Sequence, residues 1–374
     1  MKNIIIIPDS FKGTIDSIEV CNIMSRSVKQ AYPLLNVVTV PVADGGEGTV
    51  DCFLRIKNGT RINIKVASPD MSPIDSYYGM FDDTAVIETA AAAGFAMRKN
   101  GSSPLYTTTY GVGELIRDAI GRGCRHIIIG LGGSCTNDGG CGMAAAMGTH
   151  FYNKAGEEFV PVGHNLSEIA RIDASETQAL LKGIKVTAMC DTKNPLFGPQ
   201  GAAYIFAPQK GASKEDVMLL DDQLKAYAQI INRELGMDVQ DIQGAGAAGG
   251  MGAGVCAFLD GELVSGIDVI LNTIAFDSML TDCSCIITGE GKFDRQSFDG
   301  KAVIGICDRA RKRDVPVIVV AGSSEIALDE ANKYGIVDIF ETCKHSNGNR
   351  LSKQACRDAL IDTMEEAVKA IPHN

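Results

Sequence analysis

The sequence predicts an α/β protein in which a doubly wound parallel sheet carries a second, inserted α+β domain. Two observations support this prediction. Continuous apolar runs, such as residues 4–7 and 127–131, are typical of strands buried on both faces, as in parallel sheets. Helical patterns separate these runs along the chain, which is the order of a β-α-β fold. At 374 residues the chain is also long enough for two domains.

The amino-terminal part predicts one β-α-β unit over residues 4–42. After the run at 4–7, Asp16 and Glu19 have the spacing of a helix start with an acidic third residue. A buried helical stripe and a strand at 37–42 complete the unit. Further along, Thr107 is predicted to cap a helix that runs to Gly121 and leads to the strand at 127–131.

The carboxyl-terminal part repeats this alternation. The predicted strands are 285–288, 315–321 and 336–340, and the predicted helices are 301–313, 325–333 and 352–370. Together with the earlier strands they give about six parallel strands with flanking helices. In such sheets the ligand lies at the carboxyl ends of the strands, so the crevice is expected there.

The stretches between these strands and helices have a different residue pattern. Residues 62–66 alternate apolar and polar side chains, and 73–88 has the pattern of an antiparallel hairpin. Strand-like runs at 184–189 and 202–207 are followed by an amphipathic helix at 213–235. We therefore expect a discontinuous first domain and an inserted second one, with the active site in the cleft between them. The predicted divisions are 1–60, 104–150 and 278–374 for the first domain, and 61–103 and 151–277 for the second.

Composition restricts the class of partner and the compartment. The net charge of −11 and a pI near 5.0 disfavour binding to nucleic acid, which normally needs a basic face. The 12 cysteines are scattered and form no CxxC pair, so we expect small buried residues in a reducing cytoplasm. No apolar run approaches the length of a membrane span, and no secretory signal is predicted.

Three glycine-rich junctions with carboxylates follow apolar runs. Asp-Gly-Gly occurs at 44–46 and again at 138–140, and a related phrase, CIITGEGKFDRQSFDGK, occupies 285–301. Glycine lets backbone N–H groups approach a phosphate, while a fixed carboxylate holds a metal or accepts a proton. Three such junctions in one chain predict a phosphate-handling enzyme.

The first two strand ends offer candidate substrate groups. Asp9, Ser10 and Lys12 follow the first run, where the lysine suits an anion, although a capped turn explains them equally well. Asp44 and Glu47 share seven residues with three glycines, which is more than a hairpin turn needs. Asp44 is therefore a candidate metal ligand or proton acceptor.

Two further glycine segments are candidate phosphate cradles. The segment at 130–139 is neither a Walker A loop nor a GxGxxG motif, yet its glycine amides and hydroxyls suit phosphate oxygens. A second segment, at 244–254, has six glycines, for which close packing and ligand approach are equal alternatives. The candidates are Gly132, Gly133, Ser134, Thr136, Gly249 and Gly250.

The last junction indicates function most strongly, because glycines separate its charged residues. Its candidates are Glu290, Lys292, Asp294, Arg295 and Lys301. Asp191, in a loop with two proline turns, is a further candidate that faces the cleft, while a purely structural loop explains the prolines. The five histidines form no spaced ligand set, so histidine catalysis is not expected.

Six phrases in order resemble those of the type I glycerate kinase family, over about residues 1–325. They are PDSFKGT, PVADGGEGT, GGSCTNDGGCG, CDTKNPLFGPQGAAYIFAPQKGA, GAGAAGGMGAG and ITGEGKFDRQSFDGKAVIG. The resemblance implies a flavodoxin/Rossmann-like domain with an inserted domain, ATP-dependent phosphorylation of D-glycerate, and a Mg²⁺ requirement. The implied product is 2-phosphoglycerate, with 3-phosphoglycerate as the other isomer. The chain departs from the family after Glu341, where CKHSNGNRLSKQAC replaces a Pro/Gly-containing loop.

We therefore predict in-line transfer of the γ-phosphoryl group of ATP to a glycerate hydroxyl. Asp44 or Asp191 is the expected base, and Lys12, Lys292 and Lys301 are candidates for binding the substrate carboxylate or the migrating phosphoryl group. The metal candidates are Asp138, Glu290 and Asp294. Two alternatives stay open at this point, a kinase for another hydroxy acid and a non-catalytic metabolite sensor. The expected partners are the small substrate and the nucleotide, with a homodimer as a possible assembly.

Overall fold

A computed structural model describes residues 3–11, 13–97, 103–298, 302–345 and 352–372. The strands are β1 (Asn3–Ile6), β2 (Asn36–Thr39), β3 (Thr60–Ala67), β4 (Pro73–Phe81), β5 (Thr84–Glu88), β6 (His126–Gly130), β7 (His150–Tyr152), β8 (Glu158–Phe159), β9 (Arg171–Asp173), β10 (Lys185–Met189), β11 (Glu262–Val264), β12 (Cys283–Phe293), β13 (Val317–Ser324) and β14 (Ile336–Glu341). The helices are α1 (Ser17–Ala31), α2 (Thr49–Lys57), α3 (Ala90–Ala93), α4 (Tyr110–Gly121), α5 (Cys141–Ala146), α6 (Ser175–Leu180), α7 (Ala202–Phe206), α8 (Lys214–Leu235), α9 (Ala247–Leu259), α10 (Gly266–Thr273), α11 (Phe276–Met279), α12 (Ala302–Arg311), α13 (Leu328–Ala331) and α14 (Lys353–Ala367).

The chain divides into two compact units. The first comprises Met1–Ala43, Arg55–Lys57 and Ser265–Asn374, and the second comprises Asp44–Leu54 and Asn58–Val264. Both are built on sheets with parallel strands, so the predicted α/β class is confirmed.

The first unit contains a parallel sheet in the order β14-β13-β12-β1-β2. The interior strand β1 is fully buried at Ile4, Ile5 and Ile6, as its apolar run predicts. Helix α1 begins where expected, because the Asp16 side chain accepts a hydrogen bond of 2.8 Å from the Glu19 N–H. Its buried stripe packs with α14 against the sheet and forms the core of this unit.

The second unit contains a mixed sheet in the order β11-β10-β6-β5-β4-β3. Strands β5, β6, β10 and β11 are parallel. Strands β4 and β5 form the antiparallel hairpin predicted over 73–88, and β3 pairs antiparallel with β4 at the edge of the sheet. Helix α8 packs against this unit and has the predicted ends, with a capping box between Ser213 and Asp216 and a left-handed Gly236 after its last turn. A small three-stranded sheet, in the order β8-β7-β9, completes the unit.

The structure differs from the predicted domain division at residues 104–150. Strand β6 pairs with β5 and β10, so this segment lies in the second sheet and not beside β1. The loop and helix from Asp44 to Leu54 also belong to the second unit. An apolar run shows that a strand is buried on both faces, but the choice of neighbouring strands depends on contacts remote in sequence.

Two local predictions were also wrong. The apolar run at 202–207 forms helix α7, because a short run of this kind fits a buried helix as well as a strand. Thr109 precedes helix α4, whereas the Thr107 hydroxyl donates a hydrogen bond of 3.0 Å to the Cys135 carbonyl. The Thr107 side chain therefore joins two loops instead of capping the helix.

Candidate active site

The carboxyl ends of β6 and β10 meet the first Asp-Gly-Gly loop within the second unit. Gly45 has φ +85°, and a Cβ there would lie 3.1 Å from the Met189 Cβ and 3.4 Å from the Gly130 Cα. The Gly132 N–H donates a hydrogen bond of 2.9 Å to the Gly45 carbonyl. Glycine is needed at position 45 because a side chain would strain the backbone and crowd both strand ends. The loop at 44–48 is thereby fixed beside the loops that follow β6 and β10.

Three predicted carboxylates lie in these loops. Asp44, Glu47 and Asp191 are all exposed, and Asp191 is two residues beyond the end of β10. The Asp44 carboxylate accepts a hydrogen bond of 3.2 Å from the Gly46 N–H, which orients it locally. The two residues predicted as alternative bases are thus found at one edge of one sheet, accessible from solvent.

Glu88 supports this edge and was not predicted. It ends the buried strand β5, is 1% exposed, and accepts a hydrogen bond of 2.7 Å from the Val50 N–H at the start of α2. Burial raises the pKa of the Glu88 carboxyl, and the bonds from Val50 and Gly48 oppose that rise. Glu88 therefore anchors the segment that follows Asp44 and Glu47. The sequence signal available for Glu88 was an acidic residue directly after the apolar run 85–87.

The glycine and hydroxyl loop after β6 has an accessible side and a buried side. Gly133 is exposed and Gly132 half-buried, whereas Ser134 and Thr136 are buried. The two glycines therefore present backbone to a ligand, as predicted for a phosphate cradle. The two hydroxyl residues face the protein interior, so their predicted contact with phosphate is not visible in this arrangement.

Lys210 lies beneath this loop and was also missed. It is 2% exposed, and its Nζ donates hydrogen bonds of 2.9 Å to Ser134 Oγ and 2.7 Å to the Thr136 carbonyl. Burial lowers the pKa of Lys210 to about 8, although Cys135 and Asp138 favour the charged form. The ammonium group thus joins two points of the loop from inside. A lysine within the PQKGA phrase, flanked by small residues, was the only local signal.

Asp138 has a structural environment. It is fully buried and accepts hydrogen bonds from the Thr109 N–H and hydroxyl, at 2.7 and 2.8 Å, and from the N–H groups of Gly140 and Gly142, both at 3.2 Å. Burial raises the pKa of this carboxyl, and those hydrogen bonds lower it. Both oxygens are already engaged, so the structure does not support the prediction of Asp138 as a metal ligand.

The loop also contains buried polar atoms that lack hydrogen bonds. Within the described part of the chain, Thr136 Oγ1 and both polar side-chain atoms of Asn137 have no hydrogen-bond partner. Each such atom costs about 1–3 kcal/mol in a protein interior. Thr136 and Asn137 are buried within this loop by the packing of the neighbouring residues.

The second glycine segment packs against this loop. Gly249 and Gly250 have φ of +70° and +88°, and a Cβ on Gly249 would lie 2.0 Å from the Thr136 carbonyl oxygen. The Gly139 N–H donates a hydrogen bond of 3.1 Å to the Gly249 carbonyl. Both glycines are buried, so the close-packing alternative explains them better than direct contact with a phosphate.

Substituting Gly249 by alanine should destabilise the second unit by about 2–5 kcal/mol, because left-handed strain and a backbone clash combine. Gly156→Ala is the matched control, since Gly156 has φ +82° but no atom within 4 Å of its added Cβ. The control should lose only about 1–2 kcal/mol from strain alone. Urea unfolding of both variants measures the difference, and equal losses would show that the contact with Thr136 is unimportant.

The first unit has a charged cluster at the carboxyl ends of β1 and β12. Lys292 Nζ lies 2.7 Å from Glu325 Oε1 and 3.2 Å from Asp294 Oδ2, and these bonds raise the pKa of the lysine. The Asp9 N–H donates a hydrogen bond of 2.8 Å to the Gly289 carbonyl, which places Asp9 next to the buried Glu290. Predicted residues from two strands therefore meet at this edge.

The remaining predicted residues are distributed as follows. Ser10 donates its N–H to the Asp9 carboxylate at 2.6 Å, and Arg295 is exposed in a short turn after β12. Lys12 and Lys301 lie outside the described residues, as do residues 346–351 of the segment that departs from the family.

Among the described residues, no three Asp, Glu, His or Cys side chains are grouped as ligands for a metal ion. Glu290 and Asp294 remain predictions for the metal-binding role.

Comparison with known proteins decides the family. The model described as the glycerate kinase family matches residues 4–372. The chain belongs to the glycerate kinase family. It is therefore a kinase, a phosphotransferase, and the sequence-based prediction of an enzyme of this family is confirmed.

Relatives and a solved structure agree with this assignment. The chain is 44% identical to a glycerate kinase of Bacillus cereus (strain ATCC 10987 / NRS 248), over 90% of this chain and 89% of that protein. It is 41% identical to the protein named glycerate 2-kinase of Escherichia coli (strain K12), over 90% and 89%. A crystal structure of a putative glycerate kinase 2 from Salmonella typhimurium LT2 has a TM-score of 0.86 and 35% identity, covering 99% of this chain and 98% of that one.

Helices long and apolar enough to cross a membrane are absent from the part of this family member that the structure describes.

Proposed function

We propose that the protein transfers the γ-phosphoryl group of ATP to a hydroxyl of D-glycerate and that the product is 2-phosphoglycerate. The observation that carries the proposal is the meeting of Asp44, Asp191 and the Gly132–Gly133 backbone at one edge of the second sheet. A phosphoryl transfer needs such an arrangement, with donors for phosphate oxygens beside a carboxylate that accepts the hydroxyl proton. The name of the E. coli relative supports the 2-isomer.

In this mechanism the carboxylate of Asp44 or Asp191 accepts the proton of the attacking hydroxyl. The N–H groups of Gly132 and Gly133 bind phosphate oxygens, and Lys210 keeps their loop in position from inside. Glu47 is proposed to orient the substrate from the same loop as Asp44. Most of the rate enhancement then comes from positioning and charge stabilisation, as in other kinases.

The charged cluster of the first unit supplies further proposed substrate contacts. Lys292 and Arg295 are cations suited to a carboxylate or a phosphoryl group, and Asp9 and Ser10 are suited to hydroxyl groups. In the structure Lys292 is bound by Asp294 and Glu325, so a substrate anion has to compete with two carboxylates. Lys12 and Lys301 remain predictions for the same role.

Magnesium fits this protein as a component of the MgATP substrate better than as a resident ion. Mg²⁺ in kinases commonly uses one or two carboxylates together with substrate phosphates. Exposed Asp44 and Asp191 suit that role, whereas the engaged oxygens of buried Asp138 do not. When bound, the ion neutralises charge on the phosphates.

The cytoplasm is the proposed location. The 12 cysteines are all free thiols, which fits a reducing compartment. The proposed partners are D-glycerate and the nucleotide, and a homodimer is a possible assembly whose test is sedimentation analysis of the full chain.

The test is an ADP-release assay with MgATP and a panel of D-glycerate, L-glycerate and longer sugar acids, followed by ³¹P and ¹³C NMR of the product. We expect D-glycerate to give the highest kcat/KM and the phosphate to be on C2. Faster turnover of a longer acid would overturn the assignment of D-glycerate as substrate, and phosphate on C3 would overturn the assignment of the phosphorylated carbon. The absence of ADP release with every acid of the panel would overturn the proposal as a whole.

A further inference from the structure

A basic groove lies on the first unit and shares no residue with the two edges described above. Helix α1 and strand β2 form its sides, and Arg55 projects from the last turn of α2. We define this basic groove by its cations Arg26, Lys29 and Arg55 together with Asn22, Ser25 and Thr39. Its volume is about 630 Å³, which is in the range of sites for small molecules.

The helix periodicity explains why these side chains lie together. Asn22, Arg26 and Lys29 are spaced by four and three residues, so they share one face of α1. The buried stripe of α1, which includes Met24 and Val28, occupies a neighbouring face and fixes the orientation of the helix against the sheet. The groove residues are consequently held at the surface of a rigid element.

The charge of the groove is unusual for this protein. The chain has 46 acidic and 35 basic residues, yet no carboxylate of the described chain lines the groove or forms an ion pair with its three cations. Two other arginines of this unit do have acidic partners. Arg357 pairs with Glu19 on the same helix α1, and Arg309 pairs with both Asp268 and Asp277. Three like charges without a counter-charge repel each other, and an anion between them would relieve this repulsion.

We infer that the basic groove binds a small, multiply charged anion that carries phosphate. Two guanidinium groups and one ammonium match phosphate oxygens, because arginine offers paired N–H donors in a fixed geometry. The side chains of Asn22, Ser25 and Thr39 add neutral donors beside them. This site is independent of the proposed catalytic edge, since it shares no residue with it.

Inorganic pyrophosphate is a suitable probe, measured by isothermal titration calorimetry on the full chain at low ionic strength without Mg²⁺. Three proteins are compared: wild type, the double variant Arg26→Gln/Lys29→Gln, and the control Lys312→Gln/Arg313→Gln. The control removes the same charge from exposed positions of the same unit. Any binding at the glycine loops is common to all three proteins, so the comparison isolates the groove.

The groove variant should lose one binding event or bind pyrophosphate at least tenfold more weakly, while the control binds as wild type does. Raising the salt concentration should weaken the wild-type affinity towards that of the variant. Equal binding by all three proteins, or an equal loss in the control, would overturn the site. Tighter binding of malonate than of pyrophosphate would overturn the assignment to a phosphate-bearing ligand.

The same variants separate this inference from the proposed function. Arg26→Gln/Lys29→Gln should keep its ADP release with MgATP and D-glycerate within about twofold of wild type, because neither residue lies at the catalytic edge. Lost pyrophosphate binding with retained turnover supports the groove as a second site. Loss of turnover together with pyrophosphate binding would mean that the groove belongs to the catalytic site, and would overturn its independence.

Discussion

Asp44→Asn and Asp191→Asn are expected to differ in the kinetic parameter that they change. The variant that removes the base should lower kcat about 10²–10⁴-fold with little effect on KM, because amides do not accept a proton at neutral pH. The other variant should mainly raise the KM for MgATP or for glycerate. Steady-state kinetics with each substrate varied in turn distinguish the two carboxylates.

Asp222→Asn is the matched control for this pair. Asp222 is an exposed carboxylate on α8, so its replacement makes the same chemical change in the same unit away from the loops. It should leave both parameters within about twofold. If Asp44→Asn and Asp191→Asn were both as active as this control, the proposed catalytic edge would be wrong.

Lys210→Met is expected to lower kcat/KM about 10–100-fold in a protein that remains folded. Methionine fills the space of the buried lysine chain, and removing a buried charge offsets the loss of two hydrogen bonds. Ser134 Oγ and the Thr136 carbonyl lose their common donor, so the loop is less well positioned for phosphate. Kinetics and thermal unfolding of the same preparation separate the effect on catalysis from the effect on folding.

The pH dependence of stability tests the environment of Lys210 without any substrate. Its pKa is about 8 in the folded protein and 10.5 in the reference state, so the unfolded chain holds more protons between these values. Below pH 8 the buried Lys210 amine is charged and destabilises the folded protein to its full extent. As pH rises above 8 the amine loses its proton in the folded protein, and the destabilisation is relieved. Wild type should therefore gain about 2 kcal/mol relative to Lys210→Met between pH 7 and 9.5. A constant difference across this range would show that the amine is not buried.

The residues whose positions could be predicted were those that follow strand ends. Gly132 and Asp191 follow the neighbouring parallel strands β6 and β10, whose carboxyl ends lie at one edge. Asp44 follows the apolar run of β2 in the other sheet, and its loop contacts this edge through Gly45. Glu88 and Lys210 could not be predicted in the same way. Lys210 meets Ser134 across 76 residues, and Glu88 meets Val50 across 38, so their roles depend on contacts remote in sequence.

The failed predictions have the same origin. The apolar pattern of β6 fits a strand in either of the two larger sheets. Only its pairing with β5 and β10 shows that it belongs to the second unit. Asp138 was predicted as a metal ligand because it lies in a glycine-rich segment. Its carboxylate instead accepts hydrogen bonds from Thr109, which comes from the segment before α4. A carboxylate at a glycine junction is therefore compatible with catalysis or with structural support until its hydrogen bonds are known.

The way in which the loop after β6 is secured has a consequence for biosynthesis. Its backbone hydrogen bonds to Lys210, Tyr227 and Gly249 come from segments that emerge about 74 to 110 residues later. During translation these partner segments are synthesised after the loop, so the loop after β6 reaches its final conformation later than β6 itself. A chain truncated before α9 would contain the whole Asp-Gly-Gly signature of the second unit and still lack a finished site.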